Sequence, residues 1–353
     1  MYRSIPLETQ TLYAELLNQL ISLEVQRSIG SLPGSFSTKK VKGETYLYFQ
    51  RYAPGGAREQ IYLGRDSPVL QQLREAFQQE KLDYQTDLQR IDMLCAQVRA
   101  GGGIFASHAH YRVLKSFADT AIFRMGAVLV GTQAFATYGN ILGVQWSRAG
   151  MQTQDIDVAF DRDLSLVLPD LPKTDIPDTL DRLKMGFFPV PEFDRKAIST
   201  SYKVRKSSLR VDILTPSKSR KEDYKSVQVS NFNAAAQALR YLNYLIEDPI
   251  QAAFVGTSSG VLINVPDPAR YALHKLIVAQ ERPASEQVKA NKDYKQASLL
   301  IRFLFEERPA DLQLAWKRVG EKGKTWQEKI LKGYAIMQRH GLSIPEAKDV
   351  LTI

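Results

Sequence analysis

Two aspartates one residue apart, Asp155 and Asp157, stand in Thr153-Gln154-Asp155-Ile156-Asp157-Val158-Ala159-Phe160. The run after them is apolar enough to be a strand, and on a strand alternate residues face the same way. Both carboxylates then project from one face. Acids so placed repel each other unless a proton or a cation sits between them, and oxygen donors suit a hard divalent cation. A third acid, Asp212, has a similar setting in Leu209-Arg210-Val211-Asp212-Ile213-Leu214. Upstream, Gly131-Thr132 follows the apolar run Ala127-Val128-Leu129-Val130. Glycine at such a turn lets backbone N–H groups come close to a phosphate.

Together these groups have the parts for phosphoryl or nucleotidyl transfer. That chemistry needs a clamp for metal, a seat for phosphates and a line of attack. In a two-metal site one cation activates the attacking oxygen and the other steadies the leaving group. Mg²⁺, or Mn²⁺ in its place, prefers carboxylate oxygens, waters and substrate phosphates. On this reading Asp155 and Asp157 are metal ligands. Asp212 is the ligand and base nearest the attacking hydroxyl. Gly131 and Thr132 hold the β- and γ-phosphates of an NTP through backbone N–H groups and one hydroxyl. A competing reading pairs Asp212 with Arg210 or Lys203.

Val130-Gly131-Thr132, Asp155-Ile156-Asp157 and Val211-Asp212-Ile213 resemble, in that order, the motif of the DNA polymerase β-type nucleotidyltransferase superfamily. Thr stands where Ser is usual, which keeps the hydroxyl. Within the superfamily, Gly131-Thr132-Gln133-Ala134 with Thr153-Gln154-Asp155-Ile156-Asp157 is most similar to a group of bacterial nucleotidyltransferase-like proteins. It is also similar to the nucleotidyltransferase toxins of abortive-infection and type IV toxin–antitoxin systems. The resemblance covers roughly residues 105–280. It implies an NTP substrate, a divalent metal, a hydroxyl of RNA or of a protein as acceptor, and an antitoxin-like protein partner; the basic surround of Asp212 and the net charge tilt the acceptor toward RNA, tRNA included. One departure is the long stretch from Gly131 to Asp155, which reads either as an inserted loop or as a misassigned Gly-Thr. The resemblance also implies that Lys275, in Tyr271-Ala272-Leu273-His274-Lys275-Leu276 with Lys289, Lys292 and Asp293 beyond, reaches the triphosphate. A screened surface lysine is the plain alternative.

The elements that must position these groups are legible in part. Leu12, Leu16, Leu17, Leu20, Ile21 and Leu23 make a helical stripe. Residues 43–52 and 58–64 are two β-rich runs around Pro54-Gly55-Gly56 and predict a hairpin. A long helix is expected from about Pro68 to Val98, and Gly101-Gly102-Gly103 marks a boundary or hinge. Residues 106–124 read as a helix leading into strand 127–130, and Gly131 opens the next helix. A hairpin over 199–206 and 208–214 carries Asp212. Two short strands, Ile250 to Val255 and Val261 to Val265, precede a helix capped by Pro266-Asp267-Pro268. Helices are expected from there to about residue 339. The fold class is therefore α/β (α+β): a small mixed sheet with flanking helices, a helical C-terminal part, and an N-terminal helix plus β-hairpin. The expected divisions are 1–100, 104–265 and 266–353.

The chain has 353 residues, 44% of them hydrophobic, with a formal net charge of +9. That charge favours a polyanionic partner. Residues 195–225 hold ten Lys or Arg against three acids, so Asp212 stands in a basic neighbourhood. The one cysteine, Cys95, excludes a disulfide framework and a thiolate metal site, and reads as a core residue. The start, Met1-Tyr2-Arg3-Ser4-Ile5-Pro6, has no apolar signal core, and no stretch approaches a membrane span. A cytoplasmic location with no membrane partner is expected. Arg148 in the long loop either steadies a phosphate or is solvated, and Trp146 either stacks a base or anchors the loop. His108 and His110 lack a third histidine for zinc, and His274 reads as structural. Lys39, Lys40, Lys42, Arg51 and Arg58 surround Tyr46, Tyr48 and Tyr52. Such interleaving either stacks nucleic-acid bases or packs tyrosines on neighbouring helices.

Overall fold

A computed structural model describes residues 2–52, 58–146, 153–162, 174–192 and 197–342. The fold is α+β. Strand β1 (Tyr2–Ser4) and helix α1 (Leu7–Val25) come first. Strands β2 (Ser35–Val41), β3 (Glu44–Tyr52) and β4 (Arg58–Arg65) form an antiparallel sheet in the order β2-β3-β4. The expected hairpin thus has a third strand, missed because Ser35-Phe36-Ser37-Thr38-Lys39-Lys40-Val41 is mostly polar. Helix α2 (Pro68–Ala100) follows, with Ser67 accepting from the Leu70 N–H at its start. Phe36 and Phe49 meet Phe77 of α2 edge-on, so that face of the sheet is used up on the helix. Tyr13, Leu16, Leu20, Ile91, Leu94 and Cys95 make a separate small core between α1 and α2; Cys95 is buried as expected.

Helix α3 (His108–Asp119) leads to β5 (Val128–Val130), which passes directly into α4 (Gly131–Ile141). Strand β6 (Val144–Trp146) pairs antiparallel with β1. Strand β7 (Asp155–Ala159), α5 (Ile176–Arg182), β8 (Phe187–Pro189), β9 (Ser201–Val204), β10 (Arg210–Pro216), β11 (Ser226–Val229) and β12 (Ala234–Leu239) follow. The main sheet runs β11-β12-β10-β7-β5, with β9 also on β10 and β8 on β9. β10 lies parallel to β7 and to β12, and the other pairings are antiparallel. Helix α6 (Leu242–Ile246) and the hairpin β13 (Ile250–Val255) and β14 (Gly260–Val265) come next. The last described elements are helices α7 (Pro268–Glu281), α8 (Gln287–Glu307), α9 (Pro309–Lys322) and α10 (Lys324–Arg339). Asp267 caps α7 by accepting from the Ala269 and Arg270 N–H groups, and Pro268 fills its first position.

One apolar core joins the sheet to the helices after it. Val130, Ile156, Val158, Val211 and Ile213 share it with Tyr271, Leu273 and Leu276 of α7. The alternation on β7 and β10 is complete: Ile156, Val158, Val211 and Ile213 are buried, which leaves Asp155, Asp157 and Asp212 to the other face. Among the described residues no helix is long and apolar enough to cross a membrane.

Candidate active site

The three predicted acids meet on one face of the sheet. β7 and β10 pair in parallel with Arg210 beside Asp155 and Asp212 beside Asp157. Val130, the last residue of β5, stands opposite Asp157 on the other side. Gly131 follows it at φ +66°, and a Cβ built there would lie 2.0 Å from Asp157 Oδ2. No side chain fits that gap, and the positive φ suits only glycine without strain. Gly131→Ala is therefore expected to lower stability by about 2–4 kcal/mol. Chemical denaturation checks this, and a change below about 0.5 kcal/mol would refute the contact.

The carboxylates are in electrostatic contact. Asp157 is pushed up to about 7, first by burial, then by Asp212 and Asp155, with Lys275 and Lys292 pulling the other way. Neither the Asp155 nor the Asp157 carboxylate accepts a hydrogen bond from a described residue. Asp212 differs. Arg210 Nε donates to its Oδ1 at 2.7 Å, and the Ser201 hydroxyl donates to the same oxygen. Its Oδ2 accepts from no described residue. The competing reading of Asp212 as a partner for Arg210 thus describes one of its oxygens. Among the described residues no three His, Cys, Asp or Glu side chains are close enough together to enclose a metal ion. The donor set still fits one: two open carboxylates on one face, with the free oxygen of a third beside them, are hard ligands for Mg²⁺ or Mn²⁺.

The expected phosphate seat is tied to the helical part. Helix α4 starts at Gly131 with no side chain capping its first turn, which leaves N–H groups for an anion. The Tyr271 hydroxyl lies 2.9 Å from the Gly131 carbonyl oxygen and 3.0 Å from Gln296 Oε1. Gln296 Nε2 donates to the buried Thr132 hydroxyl at 3.4 Å. Lys275 Nζ donates to Asp293 Oδ1 at 2.6 Å, and Arg282 Nε donates to Oδ2 at 2.6 Å. Lys275 Nζ also stands 5.1 Å from the centre of the Tyr271 ring. Burial is the largest single influence and opposes the charge on both Lys275 and Asp293, but Asp293 with Tyr271 together hold the lysine above its usual range, and Lys275 with Arg282 together hold the carboxyl below. Lys275 is thus not the screened surface lysine of the plain alternative. Lys292 is lowered by burial and by Lys275, against the pull of Asp293, Asp155 and Asp157, which places it in the field of the site.

A cavity of about 700 Å³ opens over these groups, and Gly131, Asp155, Asp157, Asp212 and Lys275 all line it. Tyr224, Gln237 and Tyr241 line it too. The volume is in the range of small-molecule sites. Tyr224 (φ 61°) and Tyr241 (φ 65°) both hold left-handed backbone, a costly conformation for bulky residues. Sequence reasoning missed these two, and also Arg282 and Gln296. No spacing rule relates residues on separate helices and strands.

Other predicted positions fall elsewhere. Arg148 lies outside the described residues. Trp146 is buried on β6, its indole N–H donating to the Phe135 carbonyl at 3.1 Å; it anchors and does not stack a base. The α3 cap is Ser107, with His108 exposed. His274 is buried and pushed down to about 3 by burial and by Lys275, which keeps it neutral.

A family model described as nucleotidyltransferase matches residues 108–320, and this span holds every site residue named above. No curated protein and no solved structure matches the chain.

Proposed function

Because this chain belongs to the nucleotidyltransferase family, we propose that it moves a nucleoside monophosphate from an NTP to a hydroxyl group on RNA, with tRNA the first acceptor to try. The observation that carries this is the register of β7 and β10, which sets Asp212 beside Asp157 while Gly131 closes on the Asp157 carboxylate. Asp155 and Asp157 would hold the divalent ion. Bound there, Mg²⁺ or Mn²⁺ supplies positive charge to the triphosphate and acidifies the attacking hydroxyl. The first turn of α4 orients the β- and γ-phosphates. Lys275 and Lys292 add fixed positive charge on the same side. Asp212 Oδ2 takes the proton as the acceptor oxygen bonds to the α-phosphorus; the bond from that phosphorus to the bridging oxygen breaks, and pyrophosphate leaves.

The net charge of +9 favours RNA over a protein side chain as acceptor. In this reading residues 104–265 and 266–353 make the catalytic unit, residues 1–100 are an appendage, and the protein works in the cytoplasm. A toxin-like role, held in check by an antitoxin-like partner, rests on the resemblance of the Gly-Thr and Asp-Ile-Asp segments alone.

The test incubates purified protein with each labelled NTP, Mg²⁺ or Mn²⁺, and bulk tRNA. Label should enter RNA with one or more NTPs, and Asp155→Asn should prevent it. No transfer from any NTP would overturn the reading. A second reading, a module that binds but does not transfer, is favoured by the grip of Arg210 and Ser201 on Asp212. It is the correct one if an NTP raises the melting temperature and no product forms.

A further inference from the structure

The outer face of the N-terminal sheet is a platform of aromatic rings and cations that the site does not use. Strand alternation sends Phe36 and Phe49 toward Phe77 of α2 and Tyr46, Tyr48 and Tyr62 to the opposite face. The Tyr48 and Tyr62 rings are 5.5 Å apart, and the Tyr46 and Tyr62 rings 6.2 Å apart. The rings are tilted against each other, and among the described residues they meet no other aromatic ring. Tyr62 is 58% exposed. Lys39 Nζ lies 4.9 Å from the centre of the Tyr48 ring and donates to Gln60 at 2.6 Å. Arg58 Nε donates to Gln50 at 3.0 Å on the same face. Residues 35–65 carry six Lys or Arg against two Glu.

A face that only completed a fold would bury its aromatic rings or break them up with acids. This one sets a three-ring cluster at the surface, with Lys39 against the Tyr48 ring, Arg58 on the same face and the Arg65–Glu44 ion pair at its edge. A β-bulge between Leu47 and Tyr48 brings Tyr62 directly across from Tyr48, which makes the cluster continuous. The sequence-tolerant way to bind an unpaired polynucleotide is to stack its bases on exposed rings while cations track the phosphates. A duplex keeps its base faces hidden and offers only charge. A protein partner with an acidic surface would use the cations but leave the rings without a flat partner.

We propose that this face binds single-stranded RNA, with Tyr46, Tyr48 and Tyr62 stacking its bases and Lys39 and Arg58 meeting its phosphates. The proposal takes from the preceding reading only the choice of RNA, as the acceptor to be held. The test measures binding of fluorescein-labelled oligouridylate to the full chain by anisotropy, in EDTA and without nucleotide. It can therefore fail while transfer succeeds, or succeed while transfer fails. Tyr62→Ala, at an exposed position that leaves the fold intact, should weaken binding about tenfold, and Tyr62→Phe should restore it. Lys39→Gln should weaken binding and flatten its salt dependence. A blunt duplex of the same length should bind more weakly than the single strand and be indifferent to Tyr62→Ala. Equal binding of duplex and single strand, or oligouridylate binding unmoved by Tyr62→Ala, would overturn the proposal. Tighter binding of oligothymidylate than of oligouridylate would overturn the choice of RNA.

Discussion

Asp157→Asn is expected to abolish nucleotide transfer and, in the same protein, to raise the stability of the metal-free chain. The loss of activity should be about a thousandfold or more, the several kcal/mol of charge stabilisation that a bound cation supplies. The gain in stability follows from where Asp157 sits. Burial, then Asp212, then Asp155 push its carboxyl from 3.8 to about 7. A folded-state pKa above the unfolded one means that the folded chain binds the proton more tightly. Stability from this group is full below about pH 4, declines as pH rises, and is gone above about pH 7, where the ionised carboxylate faces its neighbours. Asparagine has no charge to repel. At pH 8 in EDTA the variant should be more stable by about 1–2 kcal/mol, with the difference vanishing near pH 4. Urea melts at the two pH values check this. A divalent cation should raise the wild-type midpoint at pH 8 and leave that of the variant nearly unmoved. An Asp157→Asn chain that is less stable than wild type at pH 8 without metal would mean that the three carboxylates do not confront one another.

The second large effect is expected at Asp293, which is fully buried between Lys275 and Arg282. Removing it leaves the Lys275 ammonium inside the protein without its ion-pair partner. Asp293→Ala should cost about 3–5 kcal/mol, the usual result of breaking a buried pair from one side. Lys275→Met combined with Asp293→Leu should recover much of that loss, since it removes both charges and keeps the volume. Arg282, which also bonds to Glu286 at 2.8 Å, keeps a partner in the double variant. Denaturant unfolding reads both outcomes. A cost under about 1 kcal/mol for Asp293→Ala would show that the pair carries little weight. The double variant should still lose activity, because Lys275 lines the cavity beside Asp157 and contributes to its field.

The candidate site was legible where local rules sufficed. Alternation on a strand places Asp155 and Asp157 on one face without any tertiary knowledge, and the apolar neighbours of Asp212 do the same for it. The one-to-one register between β7 and β10 was not legible, since pairing between strands 50 residues apart depends on the whole fold. β11 and β12 were missed for a different reason. Ala234-Ala235-Ala236-Gln237-Ala238-Leu239 is alanine-rich and has little intrinsic taste for a strand; its place beside β10 comes from packing. The excess length between Gly131 and Asp155 is partly β6, three residues recruited by β1 from the far end of the sequence. Lys275 was named from resemblance, but its partner Asp293 stands on the next helix, where no periodicity links the two.

The shared core beneath the cavity has a consequence for traffic through it. Tyr271, Leu273 and Leu276 pack among the same buried residues as Val130 and Ile156, and the Tyr271 hydroxyl reaches the Gly131 carbonyl. Swinging the helices away like a jaw would tear that interior open to water. In the proposed reaction, molecules then enter and leave through the cavity as it stands, past lining side chains such as Tyr224 and Tyr241, with no jaw-like swing of the helices.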